Sequence, residues 1–164
     1  MLELLQRKHD RNQFSCGVTV LDIYLQKQAM QHSKSGVSRT FVLTNNSPEI
    51  QGYFSLSMGS IDKSNLPDKM HKKFPHYPLP IVRLARLAVD QSHQGKGIGK
   101  KLLTHALYKC YQLSNEIGMI AIVIDAKDEN AKQFYLQFEF DSLPDQALTL
   151  WLPVGALRKL FDSG

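Results

Sequence analysis

The run from Arg83 to Leu103 constrains the fold more than any other part of the chain. It opens with Leu84-Ala85-Arg86-Leu87-Ala88-Val89, an apolar stretch of strand length closed by the turn formers Asp90 and Ser92. Ile98, Leu102, Ala106, Leu107 and Cys110 then recur at helical spacing. Between them lies Gln94-Gly95-Lys96-Gly97-Ile98-Gly99-Lys100, so the glycines sit where a strand feeds a helix. The first four N–H groups of a helix lack intrahelical partners and carry the positive end of its dipole, so such a turn favours an anion. Gly95, Gly97 and Gly99 put no Cβ in the way of a close approach, and Lys96, Lys100 and Lys101 add positive charge. A pyrophosphate fits that description, although an ordinary glycine-rich turn would give the same pattern.

Two phosphate motifs are excluded. A P-loop needs a hydroxyl after its lysine to hold magnesium, and Leu102 follows Lys100-Lys101 here. A dinucleotide fingerprint is Gly-x-Gly-x-x-Gly, whereas positions 95, 97 and 99 give Gly-x-Gly-x-Gly after a mid-chain strand. The residues do match Gln/Arg-x-x-Gly-x-Gly/Ala, as Gln94-x-x-Gly97-x-Gly99. That resembles the coenzyme-A loop of the GNAT N-acetyltransferase superfamily.

At 164 residues the chain is read as one domain spanning 1–164. No apolar run approaches the roughly 20 residues of a membrane span, and the N-terminal residues lack the charge order of a signal peptide. A soluble, cytoplasmic protein with no membrane partner is expected. Cys16 and Cys110 are too few for a disulfide framework and read as inert thiols, and the six histidines show no ligand spacing, so no metal is expected. The net charge of +5 is unevenly placed: residues 62–86 hold six basic and two acidic side chains. Such a segment is either a solvated loop or the mark of a polyanionic ligand.

In chain order, Leu2 to Gln6 reads as a short strand. Ser15 or Thr19 can cap a helix facing Leu21, Tyr24, Leu25 and Met30 inward and ending at Gly36. Residues 39–44 and 50–58 read as a hairpin. From Gly59 to Pro80 four prolines break any regular element, leaving a long loop. After the glycine loop a helix runs to about Ser114, then a strand buried on both faces at 119–124 and a helix from Glu129 to Gln137. A last strand spans 147–152, and Pro153 suits the first turn of a C-terminal helix. The class is therefore α/β (α+β): a mixed central sheet flanked by helices, beginning antiparallel and ending with a strand–helix–strand crossover.

With that order in place, the resemblance to GNAT enzymes covers most of the chain. Ser38-Arg39-Thr40-Phe41-Val42, Gly52-Tyr53-Phe54-Ser55-Leu56, Leu84 to Asp90 and Ala131-Lys132-Gln133-Phe134-Tyr135 look like the bacterial GNAT toxins of toxin–antitoxin pairs. The resemblance implies acetylation of the amino group of aminoacyl-tRNA by acetyl-CoA, a ribbon-helix-helix antitoxin, and a homodimer as a family expectation. One position departs: the family has Gly-Phe after the Phe-Tyr pair, and this chain has Glu139-Phe140. Glycine there ends a helix in the left-handed conformation, so glutamate is expected to strain that turn by roughly 1 kcal/mol.

The resemblance also implies roles. Backbone N–H groups at Leu87 and Val89 face the thioester carbonyl and the pantetheine arm, and Gln94 to Lys100 (Gln94, Gly95, Lys96, Gly97, Ile98, Gly99, Lys100) hold the pyrophosphate. Tyr135 is the candidate proton donor to the departing thiolate, its reference pKa near 10 being close to that of a thiol. Packing alone is the other reading of Phe134 and Tyr135. No strong general base is evident, but an α-amino group titrates near 7.7–8.0, so an appreciable fraction of such a substrate is already neutral at pH 7. Lys34, Arg39, Lys69, Lys72, Lys73, Arg83 and Arg86 are candidates for tRNA phosphate contacts, Arg86 being equally readable as a paired structural arginine. The alternatives are a small-molecule or protein amine acetyltransferase and a non-catalytic acyl-CoA-binding module.

Overall fold

The computed structural model describes residues 1–162. Strand β1 (Leu2–Leu4) is followed by helix α1 (Thr19–Ile23), a π-helical turn (Tyr24–Gln28) and α2 (Ala29–Ser35). The hairpin β2 (Arg39–Leu43) and β3 (Gly52–Ile61) leads through two 3₁₀ turns, Lys63–Asn65 and Asp68–Lys73, to β4 (Leu79–Val89). Then come α3 (Ile98–Ser114), β5 (Ala121–Asp125), α4 (Glu129–Leu136), β6 (Asp141–Leu143), β7 (Gln146–Pro153) and α5 (Val154–Asp162). The seven strands form one mixed sheet in the order β1-β2-β3-β4-β5-β7-β6. Two compact units divide the chain: Met1–Ser57 with Ala85–Leu107, and Met58–Leu84 with the chain from Tyr108 onward.

In the first unit β2 pairs antiparallel with both β1 and β3, with Leu2 opposite Leu43 and Leu43 opposite Gly52. The helical cover arises much as its apolar residues dictate: Tyr24 and Leu25 are buried against Leu5, Phe14, Val42, Ile50, Tyr53 and Ala88, with Leu21 and Met30 partly buried beside them. Gly36 does end the helix, at φ 83°, its N–H donating to the carbonyls of His32 and Ser33. The start differs from the expectation. Val18 occupies the N-cap with no side-chain cap, and Asp22 inside the first turn instead accepts from the Cys16 N–H at 2.8 Å. That carboxylate ties the segment entering the helix to its first turn, and its charge lies near the positive end of the helix dipole.

Gly52 marks the closest approach in this unit. A Cβ there would lie 2.6 Å from Leu102 Cδ1 and 2.9 Å from the Ala88 carbonyl oxygen. The leucine methyl can rotate aside but the backbone oxygen cannot. Gly52→Ala is therefore expected to destabilise the fold by about 1–3 kcal/mol through overpacking. Denaturant unfolding checks this; an unchanged midpoint would show that β3 and α3 yield freely.

In the second unit β4 and β5 pair in parallel from Ile81–Ala121 to Leu84–Ile124, with α3 as the crossover. All of Ala121–Ile124 is buried, as a strand covered on both faces requires. The final strand corrects the expectation of a closing crossover. β7 runs antiparallel to β5, with Ile122 opposite Leu152, and pairs on its other edge with β6. The three residues of β6 carry too little alternation to read as a strand alone. Pro153 ends β7 and precedes α5, where it loses no ladder donor to the helix.

The 59–80 segment is also more ordered than its prolines suggest. β3 runs on to Ile61, Asp62 accepts from the Ser64 N–H at 3.1 Å, and Leu66 is buried with Leu79, Ile81, Val123 and Trp151. Lys63 Nζ donates to the carbonyls of His71 and Phe74 at 3.1 and 3.3 Å, tying the two turns together. The prolines limit this segment to short 3₁₀ turns between β3 and β4, and a buried leucine and a caged ammonium fix its path.

Candidate active site

Strand β4 leaves its last residues with two different edges. The Asp90 N–H donates to the Gln51 carbonyl at 2.9 Å, and the Ala88 carbonyl faces Gly52, so at this end of the strand Ala88 and Asp90 point towards β3. Backbone groups alternate along a strand, so the N–H groups of Leu87 and Val89 point to the opposite edge. The ladder of β4 with β5 ends at Leu84, five residues before the strand does. Both of these amides thus lie on a stretch with spare donors.

The turn that follows is built from its own side chains. Asp90 accepts from the Ser15 N–H at 2.9 Å and the Ser92 N–H at 3.1 Å, fixing a 3₁₀ turn over Gln91–His93. Gln94 follows at the end of that turn. Its side-chain NH2 donates to the Val89 carbonyl at 2.9 Å and the Cys16 carbonyl at 3.0 Å, so it braces the loop from within.

Gly95 and Gly97 stand at φ 78° and 77°, and a Cβ on either would meet nothing within 4 Å. The glycines are therefore demanded by backbone conformation, which costs an L-residue roughly 1–2 kcal/mol, and the space above them is open. Gly99 takes an ordinary helical φ in the first turn of α3. The first amide closed onto the loop is that of Lys101, to the Gly97 carbonyl at 3.1 Å. Ile98, Gly99 and Lys100 precede it, with their N–H groups at the dipole's positive end and the exposed Lys96 and Lys100 side chains nearby. That is an anion cradle made mainly of backbone.

Tyr135 projects from α4, whose start is capped by Asp128 Oδ1 accepting from the Ala131 N–H at 2.8 Å. The ring is 8% exposed and packs edge-on against Phe134 and Phe140, with centroids 5.2 and 6.1 Å away. Its hydroxyl makes no hydrogen bond with the described residues, and burial pushes its pKa up to about 12. It is therefore fully protonated at neutral pH, as a proton donor must be. Glu139 follows at φ 74°, the left-handed conformation in which the family's glycine is at ease. Cys16 and Cys110 are buried, which pushes their thiols up to about 11 and about 12, so neither is a nucleophile at neutral pH.

The basic candidates do not form one group. Arg83 is bound to Asp125 at 2.7 Å, and Asp125 also accepts from Thr149. Arg86 stacks 3.5 Å above the Tyr24 ring, whose hydroxyl bonds Ser38 and His32, so a tyrosine and not a carboxylate accompanies that cation. Lys69, Lys72 and Lys73 lie on the second 3₁₀ turn. Lys34 and Arg39 border an open hollow together with Arg7 and Arg11. Sequence reasoning passed over those two arginines, which sit in an aperiodic stretch and reach the hollow only because β1 pairs with β2. Among the described residues no helix is long and apolar enough to cross a membrane.

Comparison with known proteins gives the geometry its family. The acetyltransferase (GNAT) domain family matches residues 36–142. A tRNA-acetylating toxin of Mycobacterium tuberculosis (strain ATCC 25618 / H37Rv) is 36% identical over 151 residues, 92% of this chain and 90% of that protein. The solved structure of AtaT complexed with acetyl-methionyl-tRNA superposes with a TM-score of 0.91 at 29% identity, covering 98% of each chain. A tyrosine-to-phenylalanine variant of AtaT, bound to the C-terminus of the antitoxin AtaR and acetyl-CoA, gives 0.83 at 25% identity over 98% of this chain and 97% of that one. Strand, glycine loop, helix start and relatives agree, and the chain belongs to the GNAT acetyltransferases.

Proposed function

We propose that this chain is a toxin that transfers the acetyl group of acetyl-CoA to the α-amino group of an aminoacyl-tRNA, leaving a charged tRNA that cannot support normal translation. The observation that carries the reading is the 36% identity to a tRNA-acetylating toxin across 92% of the chain. The amides of Ile98, Gly99 and Lys100 hold the coenzyme's pyrophosphate, with Gly95 and Gly97 setting the loop and Gln94 bracing it. The amides of Leu87 and Val89 orient the thioester and the pantetheine arm. The substrate nitrogen attacks the thioester carbonyl carbon, the C–S bond breaks, and Tyr135 gives its proton to the departing sulfur. The substrate amine loses its proton to solvent, from which Tyr135 is reprotonated.

Lys34, Arg39, Lys69, Lys72, Lys73 and Arg86 serve the tRNA backbone, with Arg83 held mainly by Asp125. An antitoxin partner is supported by the antitoxin-bound AtaT structure; its ribbon-helix-helix type, a homodimer and a cytoplasmic location belong to the same reading. Incubation with labelled acetyl-CoA and either charged tRNA, free amino acids or peptides tests it. Label is expected on charged tRNA alone. Label on amino acids or peptides would make the chain a small-molecule or protein acetyltransferase, and binding without transfer would make it a coenzyme-binding module.

A further inference from the structure

The hollow beside α2 has a volume of about 510 Å³ and is bordered by Arg7, Arg11, Lys34 and Arg39, with no carboxylate in its wall. None of the four is ion-paired among the described residues. Arg39 spends one N–H on the Ser33 carbonyl at 2.7 Å, and Arg11 reaches the Gln26 carbonyl at 3.5 Å. Most of their guanidinium donors remain unused. Lys34 and Arg39 have a structural reason to be where they are, since cations favour a helix C-terminus. Arg7 and Arg11 have none of that kind. Ser33, on the same wall, keeps a buried hydroxyl without a hydrogen-bond partner among the described residues. Four like charges with no counter-charge repel one another and lower stability unless an anion joins them.

We infer that this hollow is a phosphodiester-binding site, in which the Arg7 and Arg11 forks clamp the RNA backbone and Lys34 and Arg39 complete the charge. The inference rests on the aminoacyl-tRNA reading for its ligand. Planar guanidinium forks match phosphate oxygens two at a time. An acidic protein segment would offer carboxylates to the same forks, but a protein partner also needs an apolar anchor, and among the described residues Met30 is the sole apolar side chain in the wall. The hollow is open, so a continuous strand can cross it without threading.

The test compares the wild-type protein with Arg7→Gln/Arg11→Gln and Arg7→Lys/Arg11→Lys, using unfractionated bacterial tRNA across a potassium chloride series. The glutamine pair is expected to weaken binding at least about tenfold and to reduce the salt slope by about 0.7–0.9 for each phosphate that is no longer neutralised. The lysine pair should keep most of the slope. Relief of repulsion should leave the glutamine pair melting at or above the wild-type temperature in low salt, which shows that it folds. A wild-type slope and affinity in the glutamine pair would overturn the site. So would a weakened affinity for an acidic peptide with tRNA binding unchanged, which would assign the hollow to a protein partner. Because uncharged tRNA is bound through its backbone as well, the outcome stands apart from whether acetyl transfer to aminoacyl-tRNA occurs.

Discussion

Tyr135→Phe is expected to lower the single-turnover rate of acetyl transfer by roughly 10²–10⁴-fold, the usual worth of a positioned proton donor, with both substrates still bound. The change removes one hydroxyl and keeps the ring, so packing against Phe134 and Phe140 survives. That hydroxyl makes no hydrogen bond with the described residues, so its removal orphans no partner among them and the fold should be indifferent to it. Burial has raised its pKa to about 12, which fixes the pH dependence as well. A group with a raised pKa keeps its proton until the pH climbs towards that value. The wild-type rate should therefore rise as the substrate amine deprotonates near 7.7–8.0 and show no fall from tyrosine ionisation below about pH 10. Near-full single-turnover activity in the variant would return Tyr135 to a packing role, since product release cannot mask a slowed chemical step there.

Gly97→Val carries the second large effect. At φ 77° a β-branched residue is strained by at least the roughly 1–2 kcal/mol that left-handed backbone costs any L-residue. The loop can relieve that strain only by leaving the conformation that presents the α3 amides. Nothing lies within 4 Å of the new Cβ, so the side chain occupies the open space above the cradle and not the core. The protein should fold while its acetyl-CoA affinity drops by more than about tenfold, beyond about 1.4 kcal/mol of binding free energy. Calorimetry with acetyl-CoA reads this directly. Wild-type affinity would remove the basis for placing the coenzyme at this turn.

What the sequence discloses divides by range. The strand, glycine loop and α3 are legible because each depends on near neighbours: apolar periodicity, turn formers and glycines at left-handed positions. Gly36 and the strained Glu139 are readable for the same reason, since a helix end imposes its backbone conformation locally. The β6 strand is not, because three residues gain their definition only from the β7 edge. The motif marks Gln94 as part of the coenzyme loop, and only the fold brings the Cys16 carbonyl within reach of its amide. Arg83 and Arg86 look alike in sequence, yet Asp125 claims one and the Tyr24 ring the other. Arg7 and Arg11 are invisible as site residues, because the strand pairing that brings them beside Lys34 and Arg39 joins segments far apart in the chain.

Identifying the acetylated atom tests the transfer to aminoacyl-tRNA itself. Charged tRNA is incubated with the protein and acetyl-CoA, the ester bond is hydrolysed in mild alkali, and the released amino acid is examined by mass spectrometry. The expected product is an amino acid heavier by one acetyl group and blocked at its α-nitrogen, formed by the wild-type protein and scarcely by Tyr135→Phe. Release of the unmodified amino acid after prolonged incubation of the folded, acetyl-CoA-bound wild-type protein with every charged tRNA would contradict it.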